Sequence, residues 1–199
     1  MVTPDAQQGP VTTNVLLGPG AESPQSRWRR TSREVVDWLR TLMSSAVYAT
    51  LIVTFVGQVA RVEGRSMLPT LEDQDRLIVN KLVYLWEKPR VGDIVMVASP
   101  HAPDTTLVKR VVALPGDVVR SEKGRVYRND VPVPDDFVPD EYRSSDTWGP
   151  EVVPEGFYFV LGDHRNNSSD SRLFGPVPEK YIKGRVQVRW WPLGHGHLF

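Results

Sequence analysis

Thr41 to Ala60, TLMSSAVYATLIVTFVGQVA, is a run of twenty residues without one charged side chain. At ~1.5 Å per residue, a helix of that length spans the ~30 Å hydrocarbon core of a bilayer. The run reads as a single transmembrane helix. Its Ser and Thr residues and its one Gln leave a buried or interfacial helix as the other reading. A cleaved secretory leader fits less well, because the run is too long, starts too far into the chain and lacks an A-x-A exit. Arg27, Arg29, Arg30, Arg33 and Arg40 precede the run, and only Arg61 and Arg65 follow it closely. The positive-inside rule therefore places the N-terminus in the cytoplasm and everything beyond Ala60 on the far side of a plasma (inner) membrane.

The rest of the chain divides around that run. Residues 1–26 are rich in Pro, Gly, Ser, Thr and Gln and read as a disordered cytoplasmic tail. Residues 27–40 form a basic juxtamembrane segment whose Glu34-to-Arg40 part looks helical and amphipathic. Residues 61–199 read as mostly β. Arg76 to Asn80, Asp93 to Val97, Thr106 to Ala113, Asp117 to Val119, Arg125 to Tyr127, Gly156 to Leu161 and Gly184 to Trp190 are rich in β-branched and aromatic residues. Turn signals such as Pro115-Gly116-Asp117 and Asn129-Asp130 separate them. Such spacing predicts an antiparallel barrel or sandwich. Residues 131–154 hold five prolines and read as a surface loop or small subdomain.

Composition removes several function classes. Lys and Arg total 24 and Asp and Glu total 24, so a general nucleic-acid binder is not expected. With no cysteine, the chain has no disulfide, no thiol nucleophile and no Cys-ligated metal. His195-Gly196-His197 is a weak metal signal, and no metal or other cofactor is expected.

Three places carry candidate chemistry. Ser66 lies in Gly64-Arg65-Ser66-Met67-Leu68-Pro69-Thr70, where an ordinary turn serine is the bland reading. Lys109 lies within the apolar run Leu107-Val108-Lys109-Arg110-Val111-Val112. On a strand it shares a face with Leu107 and Val111, while Arg110 shares the opposite face with Val108 and Val112. If the Lys109 face points inward, burial lowers its pKa toward neutrality and lets it serve as a base for a serine. The alternative is an edge-strand gatekeeper or snorkelling lysine. The third place is Gly162 to Arg172, with three hydroxyls, two carboxylates and two arginines directly after an apolar strand. It is a solvated loop or the support for a catalytic pair. His164 could suggest a Ser-His-Asp triad, but Lys109 already supplies a base.

Four boxes, in order, make the chain from about Ala60 to Leu193 resemble type I signal peptidases, membrane-bound Ser–Lys proteases of the bacterial and organellar branch. They are Gly64 to Leu71, Asp75 to Val79, Lys109 to Asp117, and Gly162 to Arg172 extended by Phe174 to Pro178. The resemblance implies an antiparallel β-barrel-like catalytic domain behind one transmembrane helix. It implies Ser66 as nucleophile, Lys109 as general base, Ser168 as the hydroxyl orienting the lysine, and Asp170 with Arg172 as a supporting pair. The oxyanion hole would use the Ser66 backbone N–H. Some relatives add a serine hydroxyl where this chain has Gly64. Partners would be preprotein signal peptides and the phospholipid bilayer. Cleavage would follow small residues in A-x-A-like sites. The cleavage region would bind as an added strand beside Val62 to Gly64 and Val108 to Val111, with Val62, Gly64, Met67 and Val108 as contacts. Lysine rather than histidine at position 109 selects the bacterial and organellar branch; within it His164 matches mitochondrial members, while Arg165, Arg172 and Arg189 to Leu193 look more bacterial. A specialised mitochondrial inner-membrane or thylakoid processing peptidase is thus the alternative. A catalytically idle adaptor is disfavoured by the intact Ser66 and Lys109. A self-cleaving Ser–Lys repressor is disfavoured by the lack of a DNA-binding module before the β region.

Overall fold

The structure, a computed structural model, describes residues 24–55, 57–102 and 104–199, with side chains described for 34–51 and from 57 onward. The tail reading for residues 1–23 lies outside the described residues. Helix α1 runs Pro24–Phe55, so the last three residues assigned to the tail are helical. The residues of α1 from Glu34 to Leu51 are solvent-exposed.

The twenty-residue span expected at 41–60 is corrected. The helix ends at Phe55, and Gly57–Arg61 is strand β1. The uncharged part of the helix, Thr41 to Phe55, is fifteen residues, or about 22 Å at 1.5 Å per residue. Among the described residues no helix is long and apolar enough to cross a membrane. Gly57 is a poor helix former, and beyond it Val59 and Ala60 find strand partners in Ile78 and Leu77.

The following strands are β2 (Arg76–Asn80), β3 (Ile94–Ala98), β4 (Thr106–Ala113), β5 (Val118–Glu122), β6 (Arg125–Arg128), β7 (Val131–Pro132), β8 (Trp148–Val152) and β9 (Phe157–Leu161). A one-turn helix α2 (Ser171–Phe174), then β10 (Val177–Pro178), β11 (Ile182–Trp191) and β12 (His197–Leu198), complete the chain. The larger sheet has the order β1-β2-β11-β3-β4-β9-β10, with β12 also on β11. The smaller has the order β7-β6-β5-β8. Every pairing is antiparallel. The expected antiparallel all-β architecture is present, with the larger sheet open at β1 and β10 rather than closed.

Local chemistry sets the hairpins. Lys123 and Gly124 between β5 and β6, and Asn129 and Asp130 between β6 and β7, all have positive φ, the backbone of tight two-residue turns. At Gly124 a Cβ would also collide with the Ser144 carbonyl. Strand β8 lies inside the stretch read as a Pro-rich loop. Its Gly149 and Pro150 hide it, yet it pairs with β5 at the sheet edge, where proline is tolerated.

The interior has three apolar clusters. One gathers Val62, Met67, Leu71, Leu77, Val79, Ile94, Met96 and Val186 and seats the segment around Ser66 on β2, β3 and β11. A second joins the two sheets: Val119 and Val126 from the smaller meet Val112, Phe159 and Leu161 from the larger. The third packs Val95, Val97, Val111, Tyr158, Val160 and Val177. Phe159 is fully buried and stacks on Trp148 at 5.4 Å. Phe159→Ala should therefore cost about 3–5 kcal/mol in an equilibrium unfolding experiment. Val152→Ala, at an exposed position of the same β-rich unit, should stay within about 0.5 kcal/mol.

Candidate active site

Ser66 lies in a tightly folded connection between β1 and β2. Leu68 N–H donates to the Arg65 carbonyl at 3.3 Å and Leu71 N–H to the Met67 carbonyl at 2.9 Å. Buried Met67 and Leu71 anchor this coil from below. From the other side, Arg189 donates to the Thr70 carbonyl at 3.0 Å and to Asp75 at 3.2 Å. The Ser66 and Arg65 carbonyls are also held, by the His164 N–H at 3.1 Å and the His164 Nδ1 at 3.0 Å. His164 thus touches the backbone on both sides of the Ser66 Cα, and its ring packs against Tyr142 at 4.5 Å between centroids. It makes no hydrogen bond to the Ser66 hydroxyl.

Lys109 sits mid-strand on β4 and is only 2% exposed. Its Nζ lies 2.6 Å from Ser66 Oγ. The inward reading of its strand face holds: Val111 on the same face is fully buried, while Arg110 points the other way and stays half-buried. Burial pushes the Lys109 ammonium down from its ordinary value to about 8. The carboxylates of Asp170 and Asp163 oppose that fall, and the Arg172 guanidinium assists it. The result is an amine that loses its proton near physiological pH, within hydrogen-bond reach of a hydroxyl.

The 162–172 loop supplies the surrounding charges. Asp170 is fully buried. It accepts from Gly162 N–H at 3.0 Å and from Arg172 Nε and Nη2 at 2.9 and 2.8 Å. The Asp170–Arg172 pairing expected from sequence is formed. Arg172 Nη1 also donates to the Arg165 carbonyl at 2.6 Å, closing the loop on itself. A second fork-to-fork pair was not foreseen: Arg110 Nε and Nη2 reach fully buried Asp163 at 2.9 and 2.7 Å. The signal for it was present, since Arg110 adjoins Lys109 and Asp163 opens the polar box, but only the pairing of β4 with β9 brings them together. Gly162 is required by close approach, because a Cβ there would collide with the Ser66 carbonyl and the Ser168 side chain.

Other expected residues are placed differently. Ser168 Oγ is buried beside Gly162 and has no hydrogen-bond partner among the described residues, so it makes no bond to Lys109 in this arrangement. Gly64 is exposed, with φ +96°, a backbone that serine rarely adopts. The backbone here thus matches glycine rather than a hydroxyl donor. Among the described residues no backbone acceptor meets the Ser66 N–H. Val62 has its N–H bonded to the Asp75 carbonyl at 2.8 Å and its carbonyl bonded to Gln74 N–H at 2.9 Å. Its backbone is already paired with the chain itself, and its side chain and that of Met67 are buried in the core. Val108 packs half-buried against the same cluster. Strand β9 pairs with β4 only from Arg110 onward, which leaves Thr106 to Lys109 with β3 as their one strand partner among the described residues. The open edge for an added strand is therefore 106–109 rather than 108–111.

The arrangement is matched by known proteins. The family described as "Signal peptidase, peptidase S26" matches residues 35–191. A signal peptidase I of Leptolyngbya laminosa is 40% identical over 168 residues, covering 80% of this chain and 81% of that one. The mitochondrial ATP-independent inner membrane protease subunit 1b of Arabidopsis thaliana is 38% identical over 174 residues, 85% of this chain and 92% of its own. Signal peptidase I of Bacillus amyloliquefaciens is 34% identical over 179 residues, 84% of this chain and 95% of its own. With a family match over most of its length and relatives similar nearly end to end, the chain belongs to the signal peptidases of family S26.

Proposed function

We propose that the protein is a signal peptidase I, a serine endopeptidase that removes N-terminal signal peptides from preproteins, with Ser66 as nucleophile and Lys109 as general base. The 2.6 Å contact between Ser66 Oγ and the buried Lys109 amine carries this reading. Neutral Lys109 takes the proton of Ser66 as its Oγ attacks the scissile carbonyl. The tetrahedral oxyanion is met by the Ser66 N–H. The Lys109 ammonium then gives its proton to the leaving amine, and an acyl-enzyme remains. Water, deprotonated by Lys109, attacks the ester and releases the signal peptide with a new carboxylate. Asp170 and Arg172 fix the loop beside the lysine. Ser168 supplies the hydroxyl assigned to orient the amine.

The substrate adds as a strand along 106–109, presenting small side chains to the site. The uncharged residues of α1 attach the protein to the membrane, with the basic residues of segment 27–40 flanking them on the N-terminal side. Exposed Val59, Ile78 and Leu198, linked across strands through Val188, give the β-rich unit an apolar face suited to lie against lipid. The similarity to a mitochondrial inner membrane protease, with His164 beside the site, supports an organellar processing peptidase as the second reading.

Ser66→Ala and Lys109→Ala should each lower preprotein cleavage by about 10⁴-fold or more, measured with purified protein in detergent. Lys109→Arg should fail equally, because a guanidinium keeps its proton. Gly162→Ala should also inactivate, because the new methyl meets the backbone of Ser66 rather than a movable side chain.

The pH dependence follows from the neutral amine being the active form. kcat/KM should fall tenfold per unit of pH below about 8 and level off above it. Stability has the matching sign. Below about 8 the lysine is charged in both folded and unfolded chains, and the folded state bears the full cost of burying that charge. The cost fades as pH rises from about 8 to 10.5. Lys109→Met should therefore abolish activity yet raise unfolding free energy at pH 7 by up to about 3 kcal/mol. A stability loss instead would mark Lys109 as structural.

A further inference from the structure

Five buried side-chain polar atoms lack a hydrogen-bond partner among the described residues. Three are the guanidinium nitrogens of Arg165 and one is the hydroxyl of Ser168. Both residues line the same open cleft of about 680 Å³ between the 143–148 strip and the 165–173 loop. Arg165 is only 3% exposed, and a guanidinium cannot relieve burial by losing its proton. A buried charge with no partner is among the least favourable arrangements in a folded chain.

The carboxylates nearby are committed elsewhere. Arg143 holds Asp135 at 2.7 Å and Asp140 at 3.3 Å. Arg172 holds Asp170 at 2.8 Å and approaches Asp146 at 3.7 Å. Asp163 is taken up by Arg110 at 2.7 Å. Three arginines thus line the cleft, and two of them are neutralised by contact. Arg165 alone brings a planar fork of donors with nothing to receive them, the geometry that matches an oxyanion two bonds at a time. Burial pushes its proton affinity down against the distant pull of Asp163 and Asp135, in keeping with an unmet charge.

We propose that this cleft is an oxyanion-binding site, in which the Arg165 guanidinium grips a carboxylate or phosphate group and the Ser168 hydroxyl donates beside it. One uncompensated guanidinium calls for a singly charged group. Ser168 has one donor and two lone pairs. It can therefore donate to the anion and still accept from the Lys109 amine, which links occupancy of the cleft to the catalytic pair.

Thermal unfolding of the full chain in neutral detergent tests the site. Sodium phosphate and sodium acetate are titrated against sodium chloride at equal ionic strength, with a third arm of micelles doped with phosphatidylglycerol. In the wild type Tm should rise by about 3 °C once the anion exceeds Kd tenfold, and in Arg165→Gln it should not. Protection by phosphate or acetate assigns a soluble anion, and protection by phosphatidylglycerol alone assigns a lipid phosphodiester. Arg165→Lys keeps the charge without the fork and guards against a folding failure of the glutamine variant; its Kd should be about tenfold weaker. No protection of the wild type in any arm, or equal protection of the Arg165 variants, would overturn the proposal.

Discussion

The burial of one lysine amine governs this structure. Lys109 at mid-strand is 2% exposed, and an ammonium there forfeits hydration that no direct ion pair restores. Asp170 and Asp163 would restore it if they were free, but Arg172 and Arg110 hold them at 2.8 and 2.7 Å. The two arginine–aspartate pairs are therefore more than local braces. They hold two carboxylates near the lysine while blunting their pull on it. Removing either arginine would strengthen the field that keeps Lys109 protonated. The fold is built to hold this balance: β4 fixes the lysine, β9 leads into the 162–172 loop, and the cluster beneath Met67 fixes the serine.

The site depends on backbone at least as much as on side chains. Ser66 is positioned by bonds to the carbonyls on either side of its Cα, both supplied by His164. Gly162 lets the two segments approach, and Gly64 sets the turn that leads into Ser66. Such constraints explain why a serine and a lysine 43 positions apart can meet at 2.6 Å. They also leave the Ser66 N–H without a backbone acceptor among the described residues, as the proposed oxyanion donor requires. Preorganised backbone donors need no reorganisation during reaction.

Much of this was legible from residue order, and the remainder was not for definable reasons. Arg76 to Asn80 and Thr106 to Ala113 read correctly as strands because β-branched runs between turn signals carry their own preference. Strands β1 and β8 did not. The first continues an uncharged run that suits a helix equally well, and the second contains glycine and proline. Each is a strand only because a distant partner, β2 or β5, receives it. The same holds within the site. Residue types announced Ser66, Lys109, Asp170 and Arg172. The Arg110–Asp163 pair, the unpartnered Ser168 and Arg165, and the spent backbone of Val62 depend on contacts between segments far apart in sequence.

The central claim is that folding alone sets the Lys109 amine to lose its proton near neutrality. It is tested most directly by following the Lys109 ¹⁵Nζ resonance against pH in full-length Ser66→Ala protein, where cleavage chemistry cannot interfere. A midpoint near 8 is the predicted result. A midpoint at the ordinary lysine value of ~10.4 would contradict it, since the amine would then be an ammonium throughout the working range and could not serve as the base.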